Sequence, residues 1–176
     1  VFASDVIPNG RTYMQAMLRQ FAGLQVDWLR GVVRHMEQPW RKVWLGEGFW
    51  RDLAWWRSAL VRANSVPIHL PTVGEAALVG TDASDFACGE WMWIDGQREE
   101  TRLVFTRAER RRPINCRETR GILRALELWA ARLKHRAVLV DTDNACAFEV
   151  TSKFYSKAED LQELVRRMVE LCIEHD

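Results

Sequence analysis

Hydrophobic residues in the first third of the chain recur at helical steps. Between positions 11 and 34 they fall at Met14, Met17, Leu18, Phe21, Leu24, Trp28 and Leu29, which predicts a helix interrupted near Gly23 and Gly31. Pro39 breaks the pattern, and 47–63 predicts a second helix with Trp50, Leu53, Ala54, Trp56, Arg57, Leu60 and Val61 on one stripe. Asn64-Ser65-Val66-Pro67 closes it, and Pro71 marks the last linker. Beyond Pro71 the pattern shortens to strand-length apolar runs. Strands are predicted at 75–81, 87–94 and 98–105, the last two joined by the hairpin signal Asp95-Gly96. On the second strand Glu90, Met92 and Ile94 alternate with Trp91 and Trp93, so both faces carry large groups. A helix follows at 116–134, with Ile122, Leu123, Leu126, Trp129, Ala130 and Leu133 as its buried face. A strand at 137–142 then leads into a helix at 144–154. Ser156-Lys157-Ala158-Glu159 reads as a capping box for a last helix, striped by Leu161, Leu164, Val165, Met168 and Cys172. The order β-β-β-α-β-α-α predicts an α/β domain over 72–176, a mixed sheet with helices against it, preceded by a helical segment over 1–71.

Composition changes this picture in three places. Net charge is +1, so the chain is not basic overall and any nucleic-acid surface must be local. Arg107, Arg110, Arg111 and Arg112 supply one candidate, and Arg117, Arg120 and Arg124 continue it along the following helix. Such a cluster either holds a phosphate backbone or forms a solvated loop offset by Glu99, Glu100 and Glu109. No CxxC pair occurs among Cys88, Cys116, Cys146 and Cys172, which predicts reduced, partly buried thiols. Of nine tryptophans, Trp40, Trp44, Trp50, Trp55 and Trp56 crowd one stretch, a helical core or a covered surface rather than a base-stacking platform. No apolar run approaches the roughly 18 residues that cross a bilayer, and the N-terminus lacks a secretory pattern. The expected setting is therefore intracellular, in cytoplasm or nucleus, with no membrane partner. The chain does not open on Met, and a piece of a longer protein is expected.

Candidate chemistry sits where two apolar runs end in acids. Leu78-Val79-Gly80-Thr81-Asp82 and Val138-Leu139-Val140-Asp141-Thr142-Asp143 each place a Thr immediately before the terminal acid. A strand that delivers a carboxylate at its end fixes that group on a rigid element. Glu118, near the start of the predicted helix between them, is the third candidate, and the three are expected to converge as one metal-binding cluster. Each has a structural alternative: Asp82 as a turn acid, Asp143 as a helix cap, Glu118 as a first-turn acid favoured by the helix dipole. Asp141 and Asp85 are the nearest competitors, while Glu149, His135 and His175 are not assigned.

The local motifs carry a resemblance. Thr81-Asp82-Ala83-Ser84 with Gly89 resembles the first-strand motif of retroelement ribonuclease H domains. Ile114-Asn115-Cys116-Arg117-Glu118 is similar to the motif that opens their first helix, and Thr142-Asp143-Asn144 to their third motif. Upstream, Asp52-Leu53-Ala54-Trp55-Trp56 and Asn64-Ser65-Val66-Pro67-Ile68 resemble the region joining reverse transcriptase to ribonuclease H in DIRS-type (tyrosine-recombinase) retrotransposons. The resemblance implies a ribonuclease H-like mixed sheet and cleavage of the RNA strand of RNA–DNA hybrids, with the polymerase domain of the same polyprotein as a partner. It implies two Mg2+ (or Mn2+) ions held by the catalytic residues Asp82, Glu118 and Asp143. In that scheme Asp82 bridges both ions, Glu118 holds the ion near the leaving group and Asp143 the one near the nucleophile. Asn115 and Asn144, in the same motifs, join Arg107, Arg110, Arg111, Arg112 and Arg117 as nucleic-acid-contacting candidates. Domains of this family carry a fourth acid further on. Here the chain ends at Asp176 without one in matching context, so weak activity of this stretch alone is expected. The competing class is a catalytically inactive fold of the same type serving as a scaffold or interaction module. A transposase or integrase of the same superfold fits the acid spacing less well.

Overall fold

The structure, a computed structural model, describes residues 7, 9–22, 24–27, 30, 32–38, 40–62 and 76–175. The chain divides into two compact units, Val1–Ile68 and His69–Asp176.

In the first unit, helix α1 (Gln15–Phe21) leads into antiparallel strands β1 (Leu24–Asp27) and β2 (Val32–His35), and helix α2 (Glu47–Arg62) follows. The helix expected over 11–34 is therefore wrong beyond Phe21. Val26, Val32 and Val33 are β-branched and favour strand, while glycines at 23 and 31 weaken a helix. Strand pairing from Leu24 opposite His35 to Asp27 opposite Val32 outweighs the helical spacing. Trp28 and Leu29 lie outside the described residues, as do the linker at 64–67, Pro71 and the expected 71/72 junction.

Helix α2 forms where expected but turns a different face inward. It buries Phe49, Asp52, Trp56 and Ala59, leaving Trp50, Leu60 and Val61 exposed. The α1 contact decides this. Phe49 meets Phe21 edge-on with centroids 5.6 Å apart, and the Trp56 indole N–H donates to the Tyr13 carbonyl at 3.0 Å. Asp52 accepts the Ala16 N–H at 2.9 Å. Met14, at the start of α1, offers no side-chain cap, so the Asp52 carboxylate supplies the missing acceptor from a neighbouring helix. Trp55 stacks on Tyr13 at 4.3 Å, whereas Trp40 and Trp44 are exposed.

In the second unit, β3 (Ala77–Ala83), β4 (Ala87–Ile94) and β5 (Gln97–Val104) form an antiparallel meander. A single 3-10 turn (Glu109–Arg111) precedes helix α3 (Ile114–Leu133). The chain then crosses to β6 (Val138–Asp141), which pairs parallel to β3 with Val79 opposite Val140. Helices α4 (Ala145–Lys153) and α5 (Glu159–His175) follow, and the sheet order is β5-β4-β3-β6. This is a mixed α/β sheet in the expected element order, compatible with a ribonuclease H-like fold. Asp95 and Gly96 both take positive φ, 51° and 73°, the twist that a two-residue hairpin turn requires.

Helix α3 covers one face of the sheet. Ala77, Val79, Met92 and Ile94 pack with Ala125, Trp129 and Leu133, while Ile122 and Leu123 meet Ala147 and Met168 beneath α4 and α5. Gly121 brings the helix close: a Cβ there would stand 2.3 Å from the Cys88 sulfur. On the opposite face Trp91 lies across Gly80, where a Cβ would come within 2.1 Å of the indole. The capping box differs from expectation. Ser156 Oγ accepts the Ala158 N–H at 3.1 Å, but Gln162, not Glu159, accepts the Ser156 N–H at 2.7 Å. Gln162 is 3% exposed, so its amide sits inside the first turns of α5 where it can reach back. Cys172 is exposed, and Val169 and Leu171 are buried in its stead. Among the described residues no helix is long and apolar enough to cross a membrane.

Candidate metal centre

Three elements bring three acids to one edge of the sheet. Asp82 is next to last on β3, Glu118 lies in the second turn of α3, and Asp143 follows β6 directly before the first residue of α4. One carboxylate oxygen from each lies within 4.8 Å of the others. Asp82 and Asp143 are exposed, whereas Glu118 is 4% exposed. Among the described residues, carboxylates, thiols and imidazoles form this one group.

Glu118 is held from below. Its Oε1 accepts the Ala83 N–H at 3.2 Å, which ties the helix to the end of β3. Its Oε2 is buried and has no hydrogen-bond partner. Burial pushes the Glu118 carboxyl above its ordinary range, the Ala83 N–H and Arg117 oppose this, and the nearby Asp143 and Asp82 add to it. A cation at the cluster would satisfy the orphaned oxygen and offset the repulsion among the acids. All the donors are hard oxygens, the set that magnesium and manganese prefer. The residues present therefore fit a divalent cation. Magnesium–oxygen bonds of about 2.1 Å let one ion span at most about 4.2 Å between ligand atoms. A 4.8 Å spread thus suits two ions about 4 Å apart, or one ion after a small contraction.

The competitors fall elsewhere. Asp141 pairs with Gly80 on the sheet and is exposed, but it is not in the cluster. Asp85 accepts from Arg117 at 2.8 Å. Arg117 itself is 8% exposed and also donates to the Arg110 carbonyl at 2.9 Å, so it fastens the β3–β4 turn to the arginine loop. Arg107, Arg110, Arg111 and Arg112 are exposed; Arg112 pairs with Asp160 of α5, and Arg110 lies 6.0 Å over the Phe86 ring. Asn144 caps α4 and Asn115 lies in the first turn of α3, so both flank the cluster. Beside it runs a groove of about 470 Å³, lined by Asp82, Trp91, Arg98, Thr101, Asp141 and Asp143 among others.

Two features of the site were invisible to sequence reasoning. The Ala83 backbone N–H, which orients Glu118, leaves no trace in residue identity. Glu90 is the other. It faces α3 at 2% exposure with both carboxylate oxygens unpartnered, and its place in the alternation of β4 was the available signal. Burial raises the Glu90 carboxyl, with Arg124 and Arg120 opposing. The thiols carry no such chemistry: Cys88 is pushed up to about 12, chiefly by burial and then by Glu90, which leaves it protonated.

No family model matches the chain, and no curated protein matches it. Among solved structures it is similar to a crystal structure of the prototype foamy virus protease-reverse transcriptase (CSH mutant), at 17% identity and a TM-score of 0.38. The alignment covers 97% of this chain, which spans only 21% of that one.

Proposed function

We propose that the second unit is a metal-dependent nuclease of the ribonuclease H type, cutting the RNA strand of RNA–DNA hybrids. The observation that carries this is the meeting of Asp82, Glu118 and Asp143 within 4.8 Å, with a buried Glu118 oxygen lacking a partner. In this reading all three are catalytic metal ligands. Two divalent ions, when bound, supply charge stabilisation at the attacking and leaving oxygens of the phosphodiester. Asp82 and Asp143 approach them from the exposed side, and Glu118 from the buried side with its orientation fixed by Ala83. Arg107, Arg110 and Arg111 hold the phosphate backbone, which gives affinity without reading sequence. The choice of hybrid, and of a polymerase domain on the same polyprotein as partner, rests on the motif resemblance. So does the reading of residues 1–71 as a segment connecting the two.

The test is cleavage of a labelled RNA–DNA hybrid in Mg2+ or Mn2+. Asp82→Asn is expected to lower cleavage by at least about 100-fold, beyond the loss typical when an outer-shell partner is removed, while Asp141→Asn leaves it within a few-fold. Equal rates in the native chain and in Asp82→Asn would point instead to an inactive scaffold.

A further inference from the structure

Asn144 uses both ends of its amide. Its Oδ1 accepts the Ala147 N–H at 2.9 Å, capping α4, and its Nδ2 donates to Asn115 Oδ1 at 3.2 Å. The two amide orientations follow from elementary donor and acceptor chemistry. A backbone N–H can only donate, so Asn144 must turn its oxygen to Ala147 and its nitrogen to Asn115. Asn115 must then present its oxygen. A second bond braces the same turn, where the Asn144 N–H donates to Thr142 Oγ1 at 3.3 Å.

These bonds join the two elements that carry two of the three acids. Asn144 is the neighbour of Asp143, and Asn115 lies one helical turn before Glu118. Neither element pair is covalently short: Asn115 and Asn144 are 29 residues apart. We infer that the Asn115–Asn144 hydrogen bond is a clamp that sets the separation of Asp143 from Glu118, so that Asn115 is a positioning residue for the metal centre rather than a contact for substrate. The inference rests on the proposed reading of the cluster as a metal site. Partners behind a metal ligand typically change metal affinity by 10- to 100-fold when removed. A loss of registry matters here because a spread of 4.8 Å is already near the limit that a pair of ions can span.

The experiment compares Asn115→Ala with Asn115→Asp by Mn2+ titration calorimetry and by hybrid binding in Ca2+, with metal-free melting temperature as the folding control. Asn115→Ala removes the acceptor for Asn144; Asn115→Asp keeps an acceptor but loses the amide donor a phosphate would use. The clamp predicts that Asn115→Ala weakens Mn2+ binding about tenfold or more, that Asn115→Asp restores most of it, and that both variants melt close to the native chain. It is overturned if Asn115→Ala binds Mn2+ as the native chain does, or if the hybrid-binding loss is larger in Asn115→Asp than in Asn115→Ala with Mn2+ affinity unchanged. If the native chain binds no Mn2+, the metal reading itself fails, a result distinct from failure of the clamp.

Discussion

Glu118 divides its two carboxylate oxygens between a structural and a chemical task, one on the Ala83 N–H and one toward Asp82 and Asp143. Glu90, on the same side of the sheet, has no such partners and its oxygens are orphaned. Its carboxyl is raised above the ordinary value of 4.5 by burial, so the folded chain binds that proton more tightly than the unfolded chain does. The stability this gives is complete below about pH 4.5 and is lost as pH rises through the folded value. Glu90→Gln removes the charge and is expected to raise stability at neutral pH by on the order of 1 kcal/mol. The gain over the native chain should shrink toward zero below pH 4.5, as followed by urea denaturation across the range. A constant difference at all pH values would contradict this account. At this scale the sequence was partly legible. Asp82, Glu118 and Asp143 announced themselves as acids at the ends of apolar runs. Arg117 read as one more loop cation, because its burial against Asp85 depends on a turn 32 residues away.

At the scale of elements, close approach decides what each helix and strand can tolerate. Gly121 lets α3 lie on Cys88, and no side chain fits there without displacing the sulfur. Gly121→Ala is expected to destabilise the chain by about 1–3 kcal/mol, the usual effect of overpacking. Cys88→Ala removes the clashing sulfur and leaves the nearest listed Cys88 carbon at 3.4 Å, so the double variant should recover much of the loss. Thermal denaturation of the two single variants and the double variant measures this, and strict additivity would contradict the contact. Strand β4 ran over 87–94 as expected because its alternation, its turn and its β-formers agree. The first unit was less legible. Helical spacing and strand propensity conflicted between Leu24 and His35, and strand pairing won. In α2 the apolar residues ring much of the helix, so periodicity could not say which of Trp50 or Phe49 faces α1.

For the whole molecule, the site depends on a topology that joins distant segments. The first strand of the meander and the crossover strand lie side by side, and α3 connects across them. That arrangement carries residues 82, 118 and 143 to one end of the sheet, a convergence that acid spacing alone suggested but could not place. Hybrid binding without cleavage in Ca2+ should weaken steeply as salt rises, because affinity would come from Arg107, Arg110 and Arg111 on the phosphate backbone. Replacing these three by Ala should flatten the salt dependence, and an unchanged slope would move the backbone contact elsewhere. The most direct test of the central claim is titration of the chain with Mn2+ by calorimetry. The account predicts saturable binding that Asp82→Asn, Glu118→Gln and Asp143→Asn each weaken severely. Binding that survives all three substitutions unchanged, or no binding at all, would contradict it.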